Sequence, residues 1–170
     1  MKLLIVIDMQ NDFIDGALGT AEAVAVVDRV AERIRSARDA GEGVWFTRDT
    51  HESDYMKTQE GNKLPVPHCI RGTHGWEISP KLDVANSLII DKPTFGSVEL
   101  MESLAGLDNL ESVELIGLCT DICVISNAML IKARLPELPV CVNAACCAGV
   151  TPVSHENALN AMKMCQIEIV

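Results

Sequence analysis

No stretch of this sequence stays apolar for the roughly 20 residues that a membrane-spanning helix requires. Basic residues are also scarce: 14 Lys and Arg stand against 24 Asp and Glu, a net charge of −10. A nucleic-acid partner needs a basic face to meet phosphate, so that class is excluded. The acidic excess reads as a solubility feature. The C-x-x-C spacing of a metal knuckle is missing, and there are no internal repeats or low-complexity segments. The opening "MKLLIVID" has one lysine and a short apolar run that meets Asp8, too short for a secretory signal and wrongly ended for one. It reads as the first strand of a cytoplasmic protein.

What is present is a core. Hydrophobic residues make up 48% of the 170 positions, with no break in composition, so the expectation is one globular domain over 1–170. Cys69, Cys119, Cys123, Cys141, Cys146, Cys147 and Cys165 make an odd set of seven. A reducing compartment keeps such thiols free, and most lie in apolar stretches where cysteine acts as a small hydrophobe. Adjacent Cys146 and Cys147 would point in opposite directions on a strand and read as packing.

Short apolar runs alternate with longer helical patterns. Strands are expected at 2–8, 43–49, 86–92, 112–118, 139–144 and 166–170. Helices are expected at 21–41, 121–135 and 152–165, the last with Thr151 as N-cap and Pro152 in its first turn. This alternation, with nearly continuous apolar strands, predicts an α/β fold: three layers, α-β-α, around a mostly parallel, Rossmann-like sheet of about six strands. Residues 50–80 fit neither pattern. They hold three of the four histidines, and a loop of that length inside a compact domain is usually functional or disordered.

In open parallel sheets the ligand sits beyond the carboxyl ends of the strands. Asp8, Asp49 and Lys92 end three of the expected strands, and "GLCTDICV" (117–124) follows the fourth. Asp8, Lys92 and Cys123 together could form a thiol site. Lys92 and a helix starting near Asp121 would favour the thiolate, and Asp8 would carry the proton to a leaving nitrogen. The C-x-x-x-C turn would also offer backbone N–H groups to an oxyanion, with Cys119 contributing only its amide. Spacing alone equally allows Asp8 and Lys92 to be a structural ion pair. Asp49 and His51, with Glu60 and His68 in the following loop, form a mixed N/O set suited to Zn²⁺, Mn²⁺ or Fe²⁺. On spacing alone this could also be a solvated polar loop. His74, in a glycine turn, and His155, at a helix start, have less claim as ligands.

Taken in order, "IVIDMQNDF" (5–13), "RDTH" (48–51), "HCIRGTHGWE" (68–77), "DKPTFGS" (91–97) and "GLCTDICV" (117–124) resemble the isochorismatase-like cysteine hydrolases over nearly the whole chain. Within them, the metal-loop pattern is most similar to the nicotinamidases, which also deamidate pyrazinamide. The resemblance implies Asp8, Lys92 and Cys123 as catalytic triad. It implies a cis peptide between Leu118 and Cys119, with the N–H groups of Cys119 and Cys123 as oxyanion hole. It also implies a divalent metal, zinc first with manganese or iron as options, on Asp49, His51, Glu60 and His68. The expected reaction is nicotinamide to nicotinate and ammonia through a thioester, in a homo-oligomer. The alternative is hydrolysis of another small amide or carbamoyl compound. Nicotinamidases commonly place an aromatic residue shortly before the last metal histidine. Here that place holds Leu64, which leaves Phe13, Tyr55 or Trp76 to contact a ring, and the expected pocket includes Phe13 and Leu64.

Overall fold

A computed structural model describes residues 1–170. Six strands run in chain order: β1 (Lys2–Ile7), β2 (Gly43–Asp49), β3 (Leu88–Lys92), β4 (Ser112–Leu118), β5 (Val140–Ala148) and β6 (Glu168–Ile169). They lie side by side as β3-β2-β1-β4-β5-β6, and every pairing is parallel. The expected mostly parallel sheet is therefore entirely parallel.

Side-chain alternation along β1 sorts the core into two. Leu4 and Val6 face one layer, while Leu3, Ile5 and Ile7 face the other. The first layer is made by the short α1 (Asn11–Ile14) and the long α2 (Ala21–Asp39), whose Ala23, Val26, Val27, Val30, Ile34 and Ala37 pack inward. Thr20 caps α2 by accepting from Ala23 N, and Gly41, at φ +73°, takes the left-handed turn that ends it. The second layer holds α4 (Val98–Ala105), α5 (Ile125–Arg134) and α6 (Pro152–Met164). Each fully buried Leu, Ile or Val contributes about 1.5–3 kcal/mol over its exposed state. Cys146 joins the first core and Cys147 the second, as alternation along a strand requires. No helix is long and apolar enough to cross a membrane.

The structure departs from expectation in several places, beginning with the unexpected short helix α1. Helix α4 follows β3, where no element was expected. It shows only Leu100 and Leu104 to the core and starts from Ser97, whose hydroxyl accepts from Leu100 N. Strand β5 continues to Ala148, and its register against β4 slips between Leu115 and Gly117. The loop 50–80 contains a 3₁₀ turn (Tyr55–Lys57), α3 (Gln59–Lys63) and a second 3₁₀ turn (His74–Trp76). The helix expected over 121–135 opens instead with a wide π-type turn, Thr120–Val124, before α5 begins.

Candidate active site

Strand order reverses between β1 and β4, so the crevice opens beyond their carboxyl ends. Asp8 follows β1 and the Cys119–Cys123 turn follows β4. Lys92 ends β3, two strands away, and only a long side chain can span that gap. Its Nζ lies 2.6 Å from Asp8 Oδ2, 3.5 Å from Cys123 Sγ, 3.2 Å from Asp49 Oδ1 and 3.0 Å from the Thr94 carbonyl. The ammonium donates to Asp49, Thr94 and Cys123 and stands as ion partner to Asp8. The Asp8 contact is a charge contact off the hydrogen-bonding direction. Asp8 Oδ1 accepts from Thr47 Oγ1 at 2.6 Å, and Asp8 itself sits at φ +46°. Asp8 and Lys92 are fully buried, and Cys123 is 4% exposed.

Burial pushes the Asp8 carboxyl above its ordinary range against the pull of Lys92. It also pushes the Cys123 thiol well up, with Lys92 opposing and Asp8 and Asp49 reinforcing. Burial works against the Lys92 charge, but Asp8, Cys123 and Asp49 together keep that lysine protonated. Burial thus opposes the thiolate that Lys92 favours; Asp49 also competes for the ammonium, and the regular turns of α5 start only at Ile125.

The turn carrying Cys123 is built around a tight strand end. The Leu118–Cys119 peptide is cis. Gly117, at φ +115°, lies so close to β1 that a Cβ there would come within 2.1 Å of the Ile7 carbonyl oxygen. The Cys119 carbonyl accepts from the N–H groups on either side of Cys123, those of Ile122 (3.1 Å) and Val124 (3.0 Å). Burial, with Asp121 and Asp8, pushes the Cys119 thiol up to about 12, which disfavours its thiolate at neutral pH.

Beside this cluster, one ligand atom from each of Asp49, His51, Glu60 and His68 lies within 4.8 Å of all the others. His51 Nε2 is 2.9 Å from Asp49 Oδ2 and 3.6 Å from Glu60 Oε1, and His68 Nε2 is 3.7 Å from each of those oxygens. Ligands about 2.1 Å from a tetrahedral ion lie roughly 3.4 Å apart, so the spacing suits a divalent metal. Two further features fit. His51 Nε2 is buried with no hydrogen-bond partner. His68 Nδ1 lies 2.8 Å from the Val66 carbonyl, so it carries the proton and leaves Nε2 as the lone-pair donor. Burial pushes the Asp49 carboxyl up, but the closeness of His51 and His68 and the Lys92 charge outweigh it and hold the carboxyl well below its ordinary range.

A cavity of about 830 Å³ opens onto His51 and Glu60 of this ligand set. His51, Glu60, Lys63, Leu64, Phe95 and Ile122 are among its walls. Leu64 is one of the residues lining it. Phe13 is not among the lining side chains, because α1 draws it into the first core with its ring 5.5 Å from His68. Tyr55 backs His51 and His68 at 4.7 and 5.1 Å, and Trp76 is held by Thr50 and lies under Arg48. The aromatic that faces the cavity is Phe95, 42% exposed.

Three supporting residues were not singled out from sequence. Gln10 donates to the carbonyls of Asp49 and Trp76 and accepts from Asp49 N. Thr47 holds Asp8. Asn127 donates to Cys123 O (2.8 Å) and Phe95 O (3.1 Å) and accepts from Ser97 N. For Thr47 in β2 and Asn127 in α5 the available signal was a polar residue inside an apolar element, whereas Gln10 lies between β1 and α1.

The fold thus brings a thiol, an ammonium and a carboxylate together at the switch point of an open parallel sheet. Residues 2–170 match the isochorismatase domain, and the chain belongs to the isochorismatase family. It is 26% identical over 188 aligned residues to the nicotinamidase/pyrazinamidase of Mycobacterium tuberculosis, covering 100% of this chain and 98% of that protein. The pyrazinamidase of Pyrococcus horikoshii, solved in complex with zinc, superposes with a TM-score of 0.86 at 28% identity over 99% of this chain and 98% of that one. The pyrazinamidase/nicotinamidase of Streptococcus mutans does so at 0.87 and 26% over the full length of both.

Proposed function

We propose that this protein is a cysteine-dependent nicotinamidase-type amidohydrolase, with Cys123 as nucleophile, Asp8 as proton carrier and Lys92 as the charge that holds both. The family and its nicotinamidase relatives make it a hydrolase of the C–N bond of a linear amide. The observation that carries the finer reading is the packing of Asp8, Lys92 and Cys123 in one buried cluster against a four-ligand set.

The amide enters from the cavity with its carbonyl over Cys123. Asp8, its carboxyl raised by burial, takes the thiol proton as sulfur attacks the carbonyl carbon. The N–H groups of Cys119 and Cys123 receive the developing oxyanion. Asp8 then gives its proton to the amide nitrogen, the C–N bond breaks, ammonia leaves, and a thioester remains on Cys123. Water attacks the thioester with Asp8 as base, the acid leaves, and the thiol is restored. Lys92 stays protonated throughout and keeps Asp8 in place. Asp49, His51, Glu60 and His68 would hold the divalent ion, and the zinc-bound relative supports zinc. When bound, that ion supplies a Lewis-acidic anchor for a ring nitrogen, which positions the substrate.

The test measures ammonia release from nicotinamide, pyrazinamide, aliphatic amides and carbamoyl compounds, with metal content on the same preparation. Turnover of the two ring amides is expected. Cleavage confined to aliphatic or carbamoyl substrates would move the assignment to that other class.

A further inference from the structure

The turn that carries Cys119 and Cys123 is fastened from behind by residues with no part in the chemistry above. Thr120, next in chain to Cys119, is fully buried, and its one side-chain partner is His155, with Oγ1 2.8 Å from Nδ1. A hydroxyl both donates and accepts, so this bond survives either imidazole tautomer. Asp121 makes a second tie, its carboxylate oxygens accepting from Val150 N at 3.1 and 3.3 Å. Both ties end at the β5–α6 junction, which is firmly set. Thr151 and Ser154 cap α6 reciprocally, with Pro152 in its first turn. Gly149 approaches so closely that a Cβ there would lie 2.9 Å from His155 N.

We propose that His155 is a positioning residue for the oxyanion turn: acting through Thr120, it holds the Cys119–Cys123 amides in register with the substrate carbonyl and never touches substrate. The inference rests on Cys123 being the acylated nucleophile. Donors aimed at an oxyanion act only in a narrow range of position, and losing one costs about a hundredfold to a thousandfold in rate. Freeing one of the several ties that hold such donors should cost less than losing a donor outright.

A role in packing α6 and a role in aiming the turn are separated by two reactions at Cys123. With p-nitrophenyl acetate, sulfur attacks the carbonyl, an oxyanion forms and collapses, p-nitrophenolate leaves, and an acetyl thioester remains. With iodoacetamide, sulfur displaces iodide directly and no oxyanion forms. Both adducts are read at Cys123 by rapid quench and peptide mass spectrometry, in the unsubstituted protein and in His155→Ala, His155→Asn and Thr120→Val. The expected result is a fall of about tenfold in the acylation-to-alkylation ratio for His155→Ala and Thr120→Val, with most of it regained in His155→Asn. Thr120→Val is close to isosteric and leaves α6 intact, so it carries the prediction if His155→Ala loosens the helix. A ratio within twofold of the unsubstituted protein in Thr120→Val, or parallel loss of both rates, overturns the proposal. Nicotinamide turnover by the unsubstituted protein is scored separately, so a wrong substrate does not disguise itself as a wrong role for His155. An unsubstituted protein that is never acylated at Cys123 overturns the nucleophile and this inference together.

Discussion

Lys92 and Asp49 join the two halves of the crevice: the lysine Nζ is 3.2 Å from Oδ1 of Asp49, while Oδ2 of that carboxylate faces both His51 and His68. The nucleophile and the metal set therefore share one charge balance, in which a single buried cation offsets two buried carboxylates.

Removing that cation leaves Asp8 and Asp49 facing each other unpaired. Lys92→Met should destabilise the fold by about 3–5 kcal/mol and abolish turnover. Asp8→Asn should also abolish turnover at a smaller cost in stability, because Lys92 keeps Asp49. Urea unfolding of the two variants, read beside ammonia release, gives the order. The reverse order of stability would contradict this charge balance.

Asp8 must be ionised to take a proton, so kcat/KM should fall as pH drops through its pKa. Burial raises that pKa, which places the acid limb above the ordinary aspartate value of about 3.9. The Thr47 hydrogen bond favours the ionised form. Thr47→Val should therefore move the limb to higher pH. A limb that moves to lower pH would remove Asp8 as the base.

The four-ligand set predicts one divalent ion per chain. Ion bound only by the folded state stabilises it by about 2.7 kcal/mol at a hundredfold excess over Kd, so a chelator should lower the thermal midpoint. His68→Ala should lose both the ion and the chelator response while Cys123 alkylation is kept. Elemental analysis with calorimetry checks it, and a chelator-insensitive midpoint in metal-loaded protein would contradict the site.

Phe95 should contribute an aromatic face to a ring substrate, worth about 0.5–1.5 kcal/mol beyond buried area. Phe95→Ala should raise KM for nicotinamide about tenfold, with kcat changed far less. Leu64→Trp, in the same cavity lining, should lower it. Steady-state kinetics on the two variants decides, and an unchanged KM in Phe95→Ala would leave the cavity without its ring contact.

The sheet was legible because its strands are apolar on both faces, and strand ends pointed to Asp8, Asp49 and Lys92. Their convergence was not legible from spacing: Lys92 reaches across β2, and nothing local in "DKPT" says how far. The resemblance supplied that step. Helix α4 was missed because only Leu100 and Leu104 face inward from eight residues, too short a stripe to stand out. Phe13 was expected in the pocket and Phe95 was not, since which aromatic faces a cavity depends on how α1 and the 93–97 loop pack. Apart from the Asn127–Cys123 bond within one helical turn, Thr47, Gln10, Asn127 and His155 act through contacts 30 or more positions away, and single polar residues do not name their partners.

The most direct measurement is the mass of the protein quenched in acid during nicotinamide turnover. The account predicts an added nicotinoyl group on the peptide bearing Cys123, absent from Cys123→Ala and present in Cys119→Ala. Full turnover by Cys123→Ala, or an acyl group found on another side chain, would contradict it.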